Sequence, residues 1–187
     1  MRINIAGNAG SGKTTLAKAL GEALDLPVAS LDGVVWKEGW VTASKEERTR
    51  GEQGLIEPKS WIIEGVSKSV RKNADFIVFL DIPRHICLLR CLKRNLPYLF
   101  KSRPELPDNC PEILILPSLI KLIWLFPTRA RNVILQSIDQ QNGIVIDELI
   151  KVEELVAKII LEVAAKRNKT SGFETSSSET HLSSEQT

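Results

Sequence analysis

One run of eight residues, Gly7-Asn8-Ala9-Gly10-Ser11-Gly12-Lys13-Thr14, constrains this chain more than any other feature. It matches G-x-x-x-x-G-K-[ST] at every fixed position. It also stands between an apolar β-prone run at residues 3–6 and a helical pattern from Lys13 to Leu24. A strand, a glycine loop and a helix in that order make an anion cradle. Gly7, Gly10 and Gly12 let the backbone wrap a phosphate without a side chain in the way. The N–H groups that open the helix then point at the anion, with the helix dipole behind them. Lys13 adds a charge that follows the β- and γ-phosphates, the Thr14 hydroxyl is placed to ligate Mg²⁺, and Thr15 supplies a further phosphate contact. With Asn8, Ala9 and Ser11 these residues predict a binding loop for a nucleoside triphosphate, ATP, with Mg²⁺.

The rest of the chain alternates in the same manner. Apolar runs at 28–31, 61–64, 76–80 and 143–146 read as four more strands, without the clean alternation of a half-exposed sheet. Helical patterns fill the gaps at 44–56, 83–96, 113–137 and 152–166. Strand–helix alternation predicts an α/β fold with a parallel sheet covered on both faces. Residues 97–111 carry four prolines and read as a loop or flap. Beyond residue 165 the Ser/Thr/Glu-rich tail has no apolar period, so the expected organisation is a domain over 1–165 and a disordered tail over 166–187.

Composition removes several functions. Hydrophobic residues make up 43% and charged ones 26%, enough for a core and against a disordered or disulfide-built chain. The net charge of +2 gives no general attraction to nucleic acid or to a membrane. Three cysteines, Cys87, Cys91 and Cys110, suit a reducing compartment. The apolar stretch 113–126 is 14 residues long and falls short of the roughly 20 that cross a bilayer. A cytoplasmic protein, monomer or homodimer, with no membrane partner is expected.

Two carboxylates stand where ligands collect, outside the carboxyl ends of parallel strands. Asp81 follows Phe76-Ile77-Val78-Phe79-Leu80 and is expected to share the Mg²⁺ with Thr14. Asp32 follows Val28-Ala29-Ser30-Leu31 and suits a group that orients or deprotonates an acceptor hydroxyl. From Arg84 through Arg103 there are six Lys/Arg residues and no acid. On a helix Leu88, Leu89, Leu92, Leu96 and Ile86 gather on one side, which places Arg90 and Arg94 on the opposite, exposed face with Cys87 and Cys91. Unneutralised guanidiniums beside a phosphate loop suit phosphoryl transfer, whose transition state spreads negative charge over equatorial oxygens. Arg129 and Arg131 are further candidates.

These landmarks together resemble the adenylate-kinase-like P-loop kinases. The resemblance rests on the loop, Leu31-Asp32 with Trp36 and Trp40, and Trp61-Ile62-Ile63-Glu64-Gly65. It also rests on Leu80-Asp81-Ile82-Pro83, Arg90-Cys91-Leu92-Lys93-Arg94 and the flap from Arg103 to Glu112. Within that family the chain looks most like the branch labelled "topology modulation protein". The resemblance implies a P-loop NTPase three-layer sandwich, a five-stranded parallel sheet in the order 2-3-1-4-5, and a small lid at about 97–112. It implies Arg90 near the nucleotide base, Arg94 near its phosphates, and Arg103 as a lid arginine. The family's Gly-x-Pro-Arg segment is replaced here by Gly65-Val66-Ser67-Lys68, and Trp36, Lys37 and Trp40 stand where an acceptor-gripping arginine would. The tryptophans suit either packing or stacking on a base.

The function these features imply is Mg²⁺-dependent transfer of the γ-phosphate of ATP to a small acceptor, a nucleoside monophosphate or another small metabolite. Lys13, Asp32, Arg94, Arg103 and Arg129 are the expected catalytic groups. The rival is an ATP-binding regulatory module associated with nucleic acid, against which the near-zero net charge and the lack of a nucleic-acid motif both weigh.

Overall fold

The computed structural model describes residues 1–98 and 112–178. In chain order its first half comprises β1 (Arg2–Gly7), α1 (Lys13–Leu24), β2 (Val28–Ser30), α2 (Asp32–Val35), β3 (Trp36–Lys37), β4 (Val41–Thr42), α3 (Lys45–Ile56) and β5 (Trp61–Glu64). There follow α4 (Lys68–Asn73), β6 (Phe76–Leu80), α5 (Arg84–Asn95), α6 (Glu112–Phe126), α7 (Asn132–Gln140), β7 (Gly143–Ile146) and α8 (Val152–Ser178).

Five strands form one parallel sheet in the order β2-β5-β1-β6-β7. Counted among themselves in chain order they run 2-3-1-4-5, as expected; the strands β3 and β4 are a separate antiparallel hairpin. Helices cover both faces because the inner strands carry apolar side chains on both. On one side Ile3, Ile5 and Val78 pack against Leu16 and Leu20 of α1, Cys87 and Cys91 of α5, and Leu155 and Ile159 of α8. On the other, Ile63 and Ile77 pack with Val70 of α4, and Ala6 and Phe79 with Phe126 and Ile134 of α6 and α7. Each isoleucine fully buried in these clusters stabilises the fold by about 1.5–3 kcal/mol.

Local rules set the element ends. Ser44 and Glu47 close a capping box at the start of α3, and Ser67 caps α4 by accepting from Ser69 N and Val70 N. The short helix α4 and the β3–β4 hairpin have too few residues to show a period, and the sequence predicts neither. Asp32 stands just beyond the carboxyl end of its strand, as expected, although β2 stops one residue early at Ser30 and Asp32 opens α2.

The face of α5 is a correction. Cys87 and Cys91 are buried, while Leu89, Leu92 and Leu96 are exposed, the reverse of what its leucine pattern predicts. The reason is the loop that α5 must meet. A Cβ on Gly10 would lie against the Cys87 carbonyl oxygen and 2.9 Å from the Cys91 sulfur, a separation that only small side chains on the helix permit. Close approach, rather than side-chain hydrophobicity, decides which stripe is buried. The basic residues therefore sit beside the leucines on the exposed surface.

Helix α6 is not interrupted by Pro117, and Pro127 opens a π-helical turn, Pro127–Arg131, that leads straight into α7. Ile113–Gln140 is thus a continuous helical stretch of 28 residues, long and apolar enough by length and composition to cross a membrane. A count that stops at residue 126 misses this length. Ile123 and Ile134 are nevertheless fully buried, and the Asn8 side-chain amide donates to the Ile123 carbonyl at 3.0 Å, which ties the stretch to the phosphate loop. Helix α8 keeps a helical backbone to Ser178, past residue 165, where the sequence ends the domain. Residues 179–187 lie outside the described residues, as does most of the expected lid.

Candidate active site

The loop between β1 and α1 is shaped by its glycines. Gly10 and Gly12 adopt φ of 78° and 104°, conformations costly for a side chain. Gly10 also has no room for a Cβ against α5, whereas beside Gly12 the nearest atom is the Arg90 Nη1 at 4.0 Å. A G10A variant is expected to lose both packing and loop geometry, destabilising the chain by about 2–4 kcal/mol. A chemical-denaturation midpoint equal to that of the parent chain would contradict this.

Lys13 Nζ reaches back over the loop to donate to the Asn8 carbonyl at 2.8 Å, and Asn8 Oδ1 accepts from Ala9 N, also at 2.8 Å. Asn8 therefore shapes the loop through its side chain. Ser11 Oγ is buried and has no hydrogen-bond partner. Thr14 and Thr15 are exposed on the first turn of α1.

The Thr14 hydroxyl meets Glu64 at 2.9 and 3.0 Å to its two carboxylate oxygens. Glu64 ends β5 and is 6% exposed. Burial pushes its carboxyl above the usual glutamate range, opposed by the charge of Lys13 and by hydrogen bonds from Thr14 and Ser30. Burial likewise lowers Lys13 below the usual lysine range, opposed first by Glu64 and then by Asp32. Lys13, Thr14, Glu64 and Asp32 thus form one electrostatic unit at the carboxyl ends of β2 and β5.

Asp81 is not joined to Thr14. Its carboxylate is held by Arg131, whose Nε lies 3.0 and 2.8 Å from the two oxygens and whose Nη2 lies 2.8 Å from Oδ2. The π-helical turn swings Arg131 to this position, and Arg129 is exposed on the same turn. Arg90 Nη1 donates to the Ser11 carbonyl at 3.3 Å, so its guanidinium lies against the loop. Arg94 instead donates to its neighbour Asn95 at 3.1 Å. Arg103 lies outside the described residues. Trp36 and Trp40 form an edge-to-face pair with ring centroids 5.4 Å apart.

Set beside known proteins, the chain matches no protein-family model. It is 39% identical over 66 residues to the shikimate kinase of Caldicellulosiruptor bescii, a match covering 35% of this chain and 38% of that enzyme's length. Its structure resembles the YorR protein of Bacillus subtilis in complex with phosphorylated GDP, with TM-score 0.57, 15% identity, and 90% and 98% of the two chains covered. It also resembles the shikimate kinase of Acinetobacter baumannii in complex with shikimate, with TM-score 0.51, 19% identity, and 88% and 93% covered. The fold is that of the adenylate-kinase-like P-loop kinases. The narrower "topology modulation" branch is not shown by these likenesses.

In this P-loop kinase fold the donor set around Thr14 fits Mg²⁺. The Thr14 hydroxyl and both Glu64 oxygens are hard oxygen donors gathered at one point. Among the described residues no group of three or more His, Cys, Asp or Glu collects in one place. Mg²⁺ is commonly held by one or two protein oxygens and completed by phosphate and water. The phosphates fit the loop, where the buried Ser11 hydroxyl lacks a partner and the side of Gly12 is open. Glu64 is the residue that sequence reasoning did not select as a site group. Its signal is the same as that of Asp81, an apolar strand run ending in a carboxylate.

Proposed function

We propose that the chain is a small-molecule kinase that transfers the γ-phosphate of ATP to a hydroxyl of a small polar acceptor. The observation that carries this reading is the contact of Thr14 with Glu64 beside Lys13, with Asp32 close enough to act on both charges. Lys13 and the backbone N–H groups of residues 10–15 hold the β- and γ-phosphates. Thr14 and Glu64 hold the Mg²⁺, which neutralises charge developing on the phosphates when bound. Asp32 accepts the proton of the acceptor hydroxyl as its oxygen bonds to the γ-phosphorus, the bond to the bridging oxygen breaks, and ADP departs.

Arg90 rests on the loop backbone, from which its guanidinium reaches the nucleotide. Arg94, Arg129 and the lid residue Arg103 supply further positive charge as the site closes, and Arg131 is held in reserve by Asp81. The relatives' substrates support a hydroxyl acceptor: one resembling structure contains shikimate. The test is ADP release by the full chain with ATP and Mg²⁺ over nucleosides, nucleoside monophosphates, sugars, sugar acids and shikimate. One acceptor raising release at least tenfold over the acceptor-free rate is the expected result. ATP binding without stimulation by any acceptor would favour a regulatory module instead.

A further inference from the structure

Large apolar side chains are spread unevenly over the surface, and most of the exposed ones gather on α5 and α6. On α5 and at its C-cap, Leu89, Leu92 and Leu96 face outward, Leu89 at 65% and Leu96 at 67% exposure. Their spacing of three and four residues puts them on one stripe of the helix. On α6, Ile113, Ile120 and Trp124 recur at seven and four residues and are exposed as well. The two stripes adjoin. The Arg84 guanidinium, at the start of α5, lies 3.9 Å from the ring centroid of Trp124 and donates to the Trp124 carbonyl at 3.4 Å. The start of one helix thus meets the end of the other, and the pair packs antiparallel. An apolar surface of this extent marks a place where something docks.

Charge selects the occupant. The net charge of +2 conceals a division: residues 84–140 hold nine Lys/Arg and four Asp/Glu, whereas the rest of the chain holds sixteen and nineteen. Helix α5 has four cations and no acid, and α6 has Lys121 and, after Glu112, no acid. Lys93 and Lys121 are both exposed. A second copy of this chain docking by the same face would bring cations against cations. An acidic lipid leaflet instead presents the opposite charge over a hydrocarbon layer, and it takes up leucine and tryptophan side chains flanked by lysine and arginine. Trp124, with an arginine over its ring, suits the boundary between water and acyl chains. The stretch Ile113–Gln140 has the length and composition to cross a membrane, yet Ile123 and Ile134 are buried in the core, so it lies along a surface rather than through it.

We propose that the α5–α6 face docks the protein reversibly on an anionic membrane surface, with both helices in the plane of the headgroups. The expectation of no membrane partner rests on the whole-chain charge and on an apolar count that stops at residue 126, and neither registers this face. The proposal stands apart from the kinase reading and needs no nucleotide. Both helices also touch the phosphate loop, α5 through Arg90 to Ser11 and α6 through Ile123 to Asn8. Docking therefore holds the loop within one helix diameter, about 10 Å, of the headgroups.

The test is sedimentation of the full chain with vesicles of phosphatidylcholine alone or with about 30% phosphatidylserine added. Binding to the anionic vesicles is expected to be at least about tenfold stronger, and most of it should be lost at about 1 M salt. Two double variants locate the face: Leu89→Ser with Leu96→Ser, and Lys93→Gln with Lys121→Gln. Each is expected to lower binding to the anionic vesicles by about tenfold or more while leaving the melting temperature within a few degrees of the parent, because all four side chains are exposed. Tryptophan emission should shift to the blue on the anionic vesicles, and Trp124→Phe should remove that shift. Equal binding to the two kinds of vesicle, or binding that survives in either double variant, overturns the proposal. So does no binding at all. Self-association of the parent chain that is lost in Leu89→Ser with Leu96→Ser then assigns the face to a second copy, and a monomeric parent assigns it to an acidic protein.

Discussion

Replacing Lys13 with alanine is expected to lower kcat/KM for ATP by at least about a thousandfold while leaving the chain folded. The lysine supplies the charge that follows the transferring phosphoryl group, and loss of roughly 4 kcal/mol of transition-state stabilisation corresponds to that factor. The fold should survive because the side chain makes one hydrogen bond, to the Asn8 carbonyl, and its ammonium is held at a burial cost. Circular dichroism and the melting temperature should match the parent within a few degrees. A pH titration of stability adds a signed check. Burial lowers Lys13 below the lysine value of 10.5, so between the folded and unfolded pKa the unfolded chain binds more protons. The parent chain therefore gains stability relative to Lys13→Ala as pH rises through that window. Preserved turnover in Lys13→Ala would end the kinase reading, since Lys13 is the loop's own cation and Arg90 touches the loop from α5, at the Ser11 carbonyl.

The phosphate loop is legible in the sequence because it is a local device. Its glycines, lysine and threonine act within eight residues, and both neighbouring elements announce themselves by composition. The sheet was legible for a related reason. Strands buried on both faces must be continuously apolar, and Trp61–Glu64, Phe76–Leu80 and Gly143–Ile146 occupy the very residues expected. Non-local contacts decided what was missed. Periodicity misplaces the α5 face because it ranks side chains by hydrophobicity, whereas the neighbouring Gly10 needs small ones. The helical stretch expected at 113–137 does run through Pro117 and Pro127, since a proline removes one donor without ending a helix packed at Ile123 and Ile134; only the apolar count, which stops at residue 126, falls short of the 28 residues observed.

The same limit leaves Asp81 and Glu64 indistinguishable as the carboxylate that shares a metal with Thr14, and a pair of variants makes the choice measurable. Glu64→Gln is expected to reduce kcat by about a hundredfold or more, partly recovered at high Mg²⁺ concentration, whereas Asp81→Asn should cost less than tenfold. Asp81 holds Arg131 at the edge of the site, while the Glu64 oxygens lie on the Thr14 hydroxyl. Stability should move the other way. Burial raises the Glu64 carboxyl, so the folded chain holds a proton that the unfolded chain has lost between the glutamate value of 4.5 and the folded one. Stability falls as pH rises through that window, and above it the ionised carboxylate carries a burial cost that Glu64→Gln removes. The variant should thus be slower yet no less stable at neutral pH, the exchange typical of a group held for chemistry rather than for packing. Glu64 must also be ionised to hold a metal, so the acid limb of kcat/KM in the parent chain should lie above the ordinary carboxylate range and disappear in Glu64→Gln. If Asp81→Asn is the inactive variant and Glu64→Gln turns over normally, the metal belongs with Asp81, and the ion pair to Arg131 must open for the enzyme to work.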